Sequence, residues 1–132
     1  MATLKTNTLT GTSTAGSIAV TGEGNSTTTN LQQGLAKCWG AYNQSSSVGL
    51  TASFNTTSLT DNSAGNATIT IANDFSDGDK ATLAGSPWRG ILNHDDASTG
   101  SVVLVHSSTF NSTVDDVNNN TYAIHGDLAG VH

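Results

Sequence analysis

The sequence predicts a mainly β protein: a small antiparallel β-sandwich, preceded by one short helix and an extended N-terminal arm. Thr, Val and Ile recur in short alternating runs, the pattern of half-buried strands. Clusters of Gly, Asn, Asp and Ser separate these runs at short intervals, and only one stretch has helical spacing. We therefore predict two segments, a docking arm over residues 1–29 and a helix-plus-sandwich domain over residues 30–132.

The arm contains two weak alternating runs, residues 4–10 and residues 17–20, interrupted by Gly, Ser and Thr. Such a segment has too little apolar surface to fold alone. We expect it to pair with the rest of the protomer, with a sister subunit or with a larger assembly.

Residues 29–43, "TNLQQGLAKCWGAYN", predict the helix. Thr29 or Asn30 can cap its first free N–H groups, and Gly40 can end it. Gly34 weakens it, so packing must hold it in place. Its apolar face comprises Leu31, Leu35, Cys38 and Trp39, at helical spacing. Parallel copies around a three-fold axis would bury this face, so we predict Leu31, Leu35 and Trp39 at a trimer interface.

The remainder of the chain predicts strands and turns. "GLTASFNTTSLT" and "NATITIAN" alternate well, and "DNSAGN" between them has the residues that a tight hairpin turn requires. Further strands are expected in "KATLAGSPW", "SVVLVHSS" and "TYAIHGDLA". The clusters at residues 93–100 and 115–120 predict turns that separate them.

Composition excludes several classes of partner. Charged residues make up 11% of the chain, against about 25% in typical soluble domains, and the net charge is −6. This surface offers nothing for phosphate backbones or anionic lipid, so we expect neither nucleic-acid nor membrane binding. The apolar fraction of 35% predicts a thin core that is completed by oligomerisation. The N-terminus lacks the apolar region of a secretory signal, which predicts synthesis in the cytoplasm.

Three acids, Asp74, Asp77 and Asp79, lie in "NDFSDGDK", which resembles half of a calcium loop. Counted from Asp74, the ligand positions of an EF-hand fail at several places. We therefore interpret the segment as a turn between strands, and we predict no metal and no cofactor.

Histidine and acid pairs are the other candidates for chemistry. Among the four histidines no two have the short spacing of metal ligands, although His106 and His125 are the best candidates for an axial site shared by three subunits. The adjacent acids Asp95 with Asp96 and Asp115 with Asp116 are interpreted as turn residues. We predict that the protein is not an enzyme.

The sequence around Trp88 predicts ligand contact. Trp88 and Arg89 follow the single proline, and His94 lies nearby in the same region, residues 86–100. Flat aromatic side chains stack on sugars, so this region predicts a glycan-contact site.

The order of the segments resembles a domain of tailed-bacteriophage virion proteins, found in fibres and appendages of phages that infect marine bacteria. The first matching element is a Lys-x-Trp segment leading to an aromatic-Asn pair, here Lys37, Trp39, Tyr42 and Asn43. The hairpin matches at Ser53, Phe54, Asn55, Ser58, Thr60, Asp61 and Asn62, and the last strand at Gly126 and Asp127. Cys38 stands where the family usually has Ala.

The resemblance implies a structural protein on the virion surface: a trimeric fibre, knob or capsid decoration whose arm docks to capsid, portal or tail proteins. The alternative is an adhesin that binds host glycan through the 86–100 loop. A glycan-degrading enzyme is the third hypothesis, disfavoured because so short a chain leaves little room for a groove.

Overall fold

The computed structural model describes residues 2–13, 17–22, 24, 27–87, 92–95, 100–107 and 114–130, with the backbone alone at residues 92–95, 104, 106 and 107. The chain divides into two compact units, Met1–Leu35 and Ala36–His132.

The first unit contains a two-stranded hairpin and one helical turn. Strands β1 (Ala19–Thr21) and β2 (Thr28–Asn30) pair antiparallel, and helix α1 (Leu31–Gly34) follows directly. All residues of both strands are exposed. The predicted cap at Asn30 is confirmed, because its Oδ1 accepts hydrogen bonds from the backbone N–H groups of Gln32 (2.8 Å) and Gln33 (3.2 Å).

The rest of the predicted helix is wrong, because residues Cys38–Asn43 form strand β3. Inward positions Cys38, Gly40 and Tyr42 alternate with outward positions on this strand, which is the period of a sheet. Gly40, predicted to end the helix, lies inside the strand. Pairing of β3 on both sides satisfies its backbone groups and outweighs the propensity of a short, glycine-containing helix.

The second unit is a sandwich of two four-stranded sheets, which confirms the predicted fold class. Its further strands are β4 (Gly49–Phe54), β5 (Thr56–Ser63), β6 (Asn66–Ile71), β7 (Ala81–Gly85), β8 (Leu92–Asp95), β9 (Val102–Ser107) and β10 (Asn120–His125). The first sheet has the order β4-β3-β10-β7 and the second the order β5-β6-β9-β8, with antiparallel pairing throughout.

Strand β8 corrects the prediction of a turn over residues 93–100. Its residues Leu92–Asp95 pair with β9. The polar sequence "LNHD" gives no local strand signal, and a neighbouring strand supplies the hydrogen bonds that make it one.

The core lies between the inner faces of the two sheets. The first sheet contributes Cys38, Tyr42, Tyr122 and Ile124; the second contributes Ala67, Ile69, Ile71, Val103 and Val105; Phe75 from the connection after β6 joins them. These side chains are removed from water by both sheets at once, which is the main source of stability in such a fold.

The chain passes from the first sheet to the second at Asn55. The sequence "GLTASFNTTSLT" alternates throughout, yet β4 ends at Phe54 and β5 begins at Thr56 in the other sheet. Asn55 has a φ of 57°, the left-handed region that Asn tolerates better than most residues.

The Asn55 side chain holds this corner to two other segments. Its Nδ2 donates to the carbonyls of Lys37 and Asn73, both at 3.0 Å. Its Oδ1 accepts from the Asn73 backbone N–H (2.7 Å) and from the Asn73 Nδ2 (3.0 Å). One amide group therefore joins the start of β3, the corner and the end of β6.

Gly40 leaves room for the Tyr122 hydroxyl, which forms a hydrogen bond between the two sheets. A Cβ at this position would lie 2.5 Å from the hydroxyl oxygen of Tyr122. The Tyr122 hydroxyl in turn lies 2.6 Å from Oγ1 of Thr56 on the opposite sheet. A side chain at position 40 would displace Tyr122 and break this link between the sheets.

Substitution of Asn55 by Gly should lower the free energy of unfolding by about 2–4 kcal/mol, because four hydrogen bonds are lost at about 1 kcal/mol each. Asn119→Gly is the matched control, since Asn119 also has a positive φ, 60°, and is exposed. The control should change stability by less than about 0.5 kcal/mol. Urea unfolding of both variants measures the difference, and equal effects would contradict the role of the Asn55 side chain.

Gly40→Ala should destabilise the protein by about 1–3 kcal/mol, because the added methyl overpacks the core against Tyr122. Gly85→Ala is its control in the same sheet, since a Cβ there would lie 3.4 Å from Oγ1 of Thr121, near ordinary contact distance. Thermal unfolding compares the two. A Gly40→Ala variant as stable as the Gly85→Ala variant would refute the packing argument.

Candidate functional site

The outer face of the first sheet carries an apolar row that crosses all four strands. In the register, Phe54 on β4 lies opposite Trp39 on β3, and Trp39 lies opposite Ala123 on β10. Ala123 in turn lies opposite Leu83 on β7. We call Phe54, Trp39, Ala123 and Leu83 the outer row.

The three large members of the outer row are exposed to solvent. The exposed fraction is 54% for Phe54, 44% for Trp39 and 62% for Leu83. Single exposed apolar residues are common on proteins, but an aligned group on one flat face is typical of a contact surface. The cross-strand contact of Trp39 with Phe54 also stabilises the sheet itself.

The next outward row on the same face is made of small residues. Ala52, Ala41, Thr121 and Gly85 lie opposite one another across the four strands. Their side chains are small or absent, so they project less from the sheet than those of the outer row. Neither row contains an ionisable side chain, so a partner on this face would meet no charge from these two rows.

The predicted trimer-interface residues do not share a helical face. Leu31 begins α1 and is half-buried, while Leu35 is the residue that caps its C-terminus and is 48% exposed. Trp39 lies on β3, in the other unit. The helical face is absent because the helix ends at Gly34, and Trp39 instead belongs to the outer row.

The predicted glycan-contact residues cannot be assembled into a site. Trp88 and Arg89 lie outside the described residues. The backbone of His94 lies in β8, but its side chain is also outside what the structure describes.

The acids of "NDFSDGDK" turn the chain between β6 and β7. Asp74, Asp77 and Asp79 are exposed, and Oδ1 of Asp77 accepts a hydrogen bond from the Asp79 backbone N–H at 2.9 Å. This bond closes a turn of the kind that Asp favours.

The remaining acids and histidines are spread over the fold. Oδ1 of Asp116 accepts from the Gly65 N–H at 2.7 Å, which fixes the turn of the β5–β6 hairpin. His125 ends β10 on its outer face, and the side chain of His106 lies outside the described part of the chain. Within the described ranges, no three His, Cys, Asp or Glu residues are grouped so as to hold a metal ion.

Comparison with protein-family models, with curated proteins and with solved structures finds no match for this chain. The described residues include no helix with the length and hydropathy needed to cross a bilayer.

The titratable groups of the core are held neutral. Burial raises the pKa of the Cys38 thiol, and the thiol is a poor nucleophile because little of it is ionised. Its Sγ lies 3.4 Å from Oγ1 of Thr56. Burial also raises the pKa of Tyr42, and it raises the pKa of Tyr122 to about 12, although the hydrogen bond with Thr56 acts in the opposite direction. All three groups belong to the packed core between the sheets.

The outer row was missed from the sequence because it depends on strand register. Phe54, Leu83 and Ala123 are far apart in the chain, and only the pairing of β4, β3, β10 and β7 aligns them. The signal present in the sequence was one large apolar residue at an outward position of each of three strands: Trp39 on β3, Phe54 on β4 and Leu83 on β7.

Tyrosinate absorbance should report the closed core directly, because Tyr42 and Tyr122 are the two tyrosines of the chain. In the folded protein neither phenol should ionise near the ordinary pKa of 10.0, and Tyr122 should do so at about pH 12. The folded state favours the protonated phenols, because burial raises the pKa values of both tyrosines. Their contribution to the free energy of unfolding is therefore complete below pH 10 and is lost as the pH rises through the folded pKa values. Ionisation of both phenols near pH 10 before unfolding would contradict it.

Proposed function

We propose that this chain is a structural subunit of a bacteriophage particle. It assembles as a homotrimer, a knob, fibre tip or decoration on the virion surface, and its N-terminal segment anchors it to capsid, portal or tail proteins. The resemblance of the hairpin and flanking segments to phage appendage domains supports the phage context. The outer row is the one structural observation that carries the assembly part of the proposal.

The outer row suits contact between copies of the chain. Complete burial of a large apolar side chain contributes about 1.5–3 kcal/mol. Since Trp39, Phe54 and Leu83 are each already about half covered, association would gain about 1 kcal/mol from each residue of each copy. Summed over three copies, this burial favours association and offsets part of the translational and rotational freedom that the copies lose.

The absence of charged side chains from these two rows favours self-association over highly charged partners. A face that binds nucleic acid, anionic lipid or a highly charged protein needs complementary charges. The outer row and the adjacent small-residue row offer apolar and hydroxyl groups, so the matching surface is another flat apolar face. Every copy of the chain carries one, and in the proposed trimer the three outer rows face a common three-fold axis, so that each copy contacts its two neighbours.

The proposed role is not catalytic. The Cys38 thiol is buried and has a raised pKa. The Asp77 and Asp116 carboxylates cap turns. These groups are committed to the fold, which supports a part in a particle rather than in a reaction.

Light scattering on the purified chain tests the assembly. A mass of three chains at micromolar concentration is expected. The double variant Trp39→Thr with Leu83→Thr should raise the dissociation constant at least about tenfold, because the buried apolar area is lost, while threonine remains compatible with a strand.

Val48→Ser is the matched control. Val48 is 51% exposed, similar to the outer row, but it lies in the connection after β3. This variant should remain trimeric. A monomeric wild-type chain, or a double variant that assembles like the control, would refute the proposed interface, and a stable dimer would refute the trimer.

Particle composition tests the phage context separately. Mass spectrometry of purified particles of the encoding phage should detect the chain in a copy number divisible by three.

A glycan array tests the adhesin alternative, in which one class of sugar binds the wild-type chain. Absence of the chain from particles, together with selective glycan binding, would overturn the structural role.

A further inference from the structure

Three polar side chains lie inside the core at one end of the sandwich. Tyr42, Gln44 and Asn120 have exposed fractions of 0%, 2% and 0%. Polar side chains this deeply buried are normally hydrogen-bonded by every group they carry. We call these three residues the polar end.

The fold brings the three residues together. Tyr42 on β3 and Asn120 on β10 lie opposite each other in the register, and both point inward. The Gln44 backbone N–H and the Asn120 Nδ2 both donate to the carbonyl of Val117, at 3.0 Å and 2.9 Å. One carbonyl therefore joins the main chain of Gln44 to the side chain of Asn120.

Both amide groups are fixed in orientation by acceptors. Nε2 of Gln44 donates to Oδ1 of Asp61 at 3.2 Å, and Nδ2 of Asn120 donates to the Val117 carbonyl. Neither amide can be reversed, because its oxygen would then face another oxygen. The oxygens Oε1 of Gln44 and Oδ1 of Asn120, and the hydroxyl of Tyr42, have no hydrogen-bond partner among the described residues.

The opposite sheet presents a small inward side chain at this end. Asp61, which Gln44 reaches, lies opposite Ala67 in the β5–β6 register. Ala67 is fully buried, and the next inward residues on β6 are the larger Ile69 and Ile71. Gln44 therefore reaches the end of the β5–β6 pair where the inward side chain is the small Ala67.

We propose that the polar end is a binding site for one internal water molecule. The water donates one hydrogen bond to Oε1 of Gln44 and one to Oδ1 of Asn120, and it accepts a hydrogen bond from the Tyr42 hydroxyl. Three hydrogen bonds are typical of a buried water. Burial raises the pKa of Tyr42, so its hydroxyl keeps the proton that it donates.

The chemistry of these groups fits water better than a cation. The site brings two acceptors and one hydroxyl, and what it lacks is a donor. Oδ1 of Asp61 already accepts from Gln44, and Oδ1 of Asp116 accepts from the Gly65 N–H. Hard cations need several oxygen ligands that include carboxylates.

This water would complete the closure of the sandwich end. The segment 115–119 crosses here, held by the Val117 carbonyl and by the bond between Asp116 and Gly65. A water bonded to Tyr42, Gln44 and Asn120 links β3, β10 and this connection into one network.

The sign of the effect of Tyr42→Phe on thermal stability tests the site. If the water is bound, loss of one of its three hydrogen bonds lowers the melting temperature by about 3–6 °C in a chain of this size. In a dry site the same change removes an unpaired hydroxyl and leaves the melting temperature unchanged or higher, which would overturn the proposal. Tyr122→Phe is the reference, because the Tyr122 hydroxyl has an observed partner in Thr56.

Two further measurements on the full chain distinguish a bound water from an empty site and from a bound cation. Nuclear magnetic resonance should show cross-relaxation from water to the Asn120 side-chain amide protons, and its absence would refute a resident water. Melting temperatures in sodium, potassium, calcium and tetramethylammonium chloride should agree at equal ionic strength. A higher melting temperature with one metal cation alone would show that an ion, and not a water, occupies the site.

Discussion

The structure depends on the corner at Asn55. A continuous alternating run must leave one sheet and enter the other within a single residue, and this requires a left-handed backbone that most side chains disfavour. Asn55 accepts this conformation and uses its amide to bind Lys37 and Asn73. Without the corner, β4 and β5 would continue as one strand and the two inner faces would not meet.

Polar contacts inside the sandwich complement a thin apolar core. Thr56 and Tyr122 join the two sheets near the corner, and Gln44 and Asp61 join them at the other end. Each bond has directional requirements that apolar packing lacks, so such contacts favour one register over others. Gly40 belongs to the same arrangement, since its lack of a side chain leaves the space that Tyr122 occupies.

Local signals predicted the parts of this fold that local chemistry decides. The hairpin turn in "DNSAGN" and the Asn30 cap follow from residue types a few positions apart. The predicted helical period continued through Cys38 and Trp39, but the pairing of Cys38–Asn43 with β4 and β10 makes this segment a strand. The outer row and the polar end also depend on register, which arises from contacts distant in sequence.

Alternation along the strands separates two tasks. Positions 38, 40 and 42 of β3 and their partners on β10 specify the interior, whereas positions 39 and 41 meet only the outer face. Changes at outward positions can therefore accumulate without disturbing the packing beneath them. The scaffold can therefore keep its shape while substitutions on its external face change what it contacts.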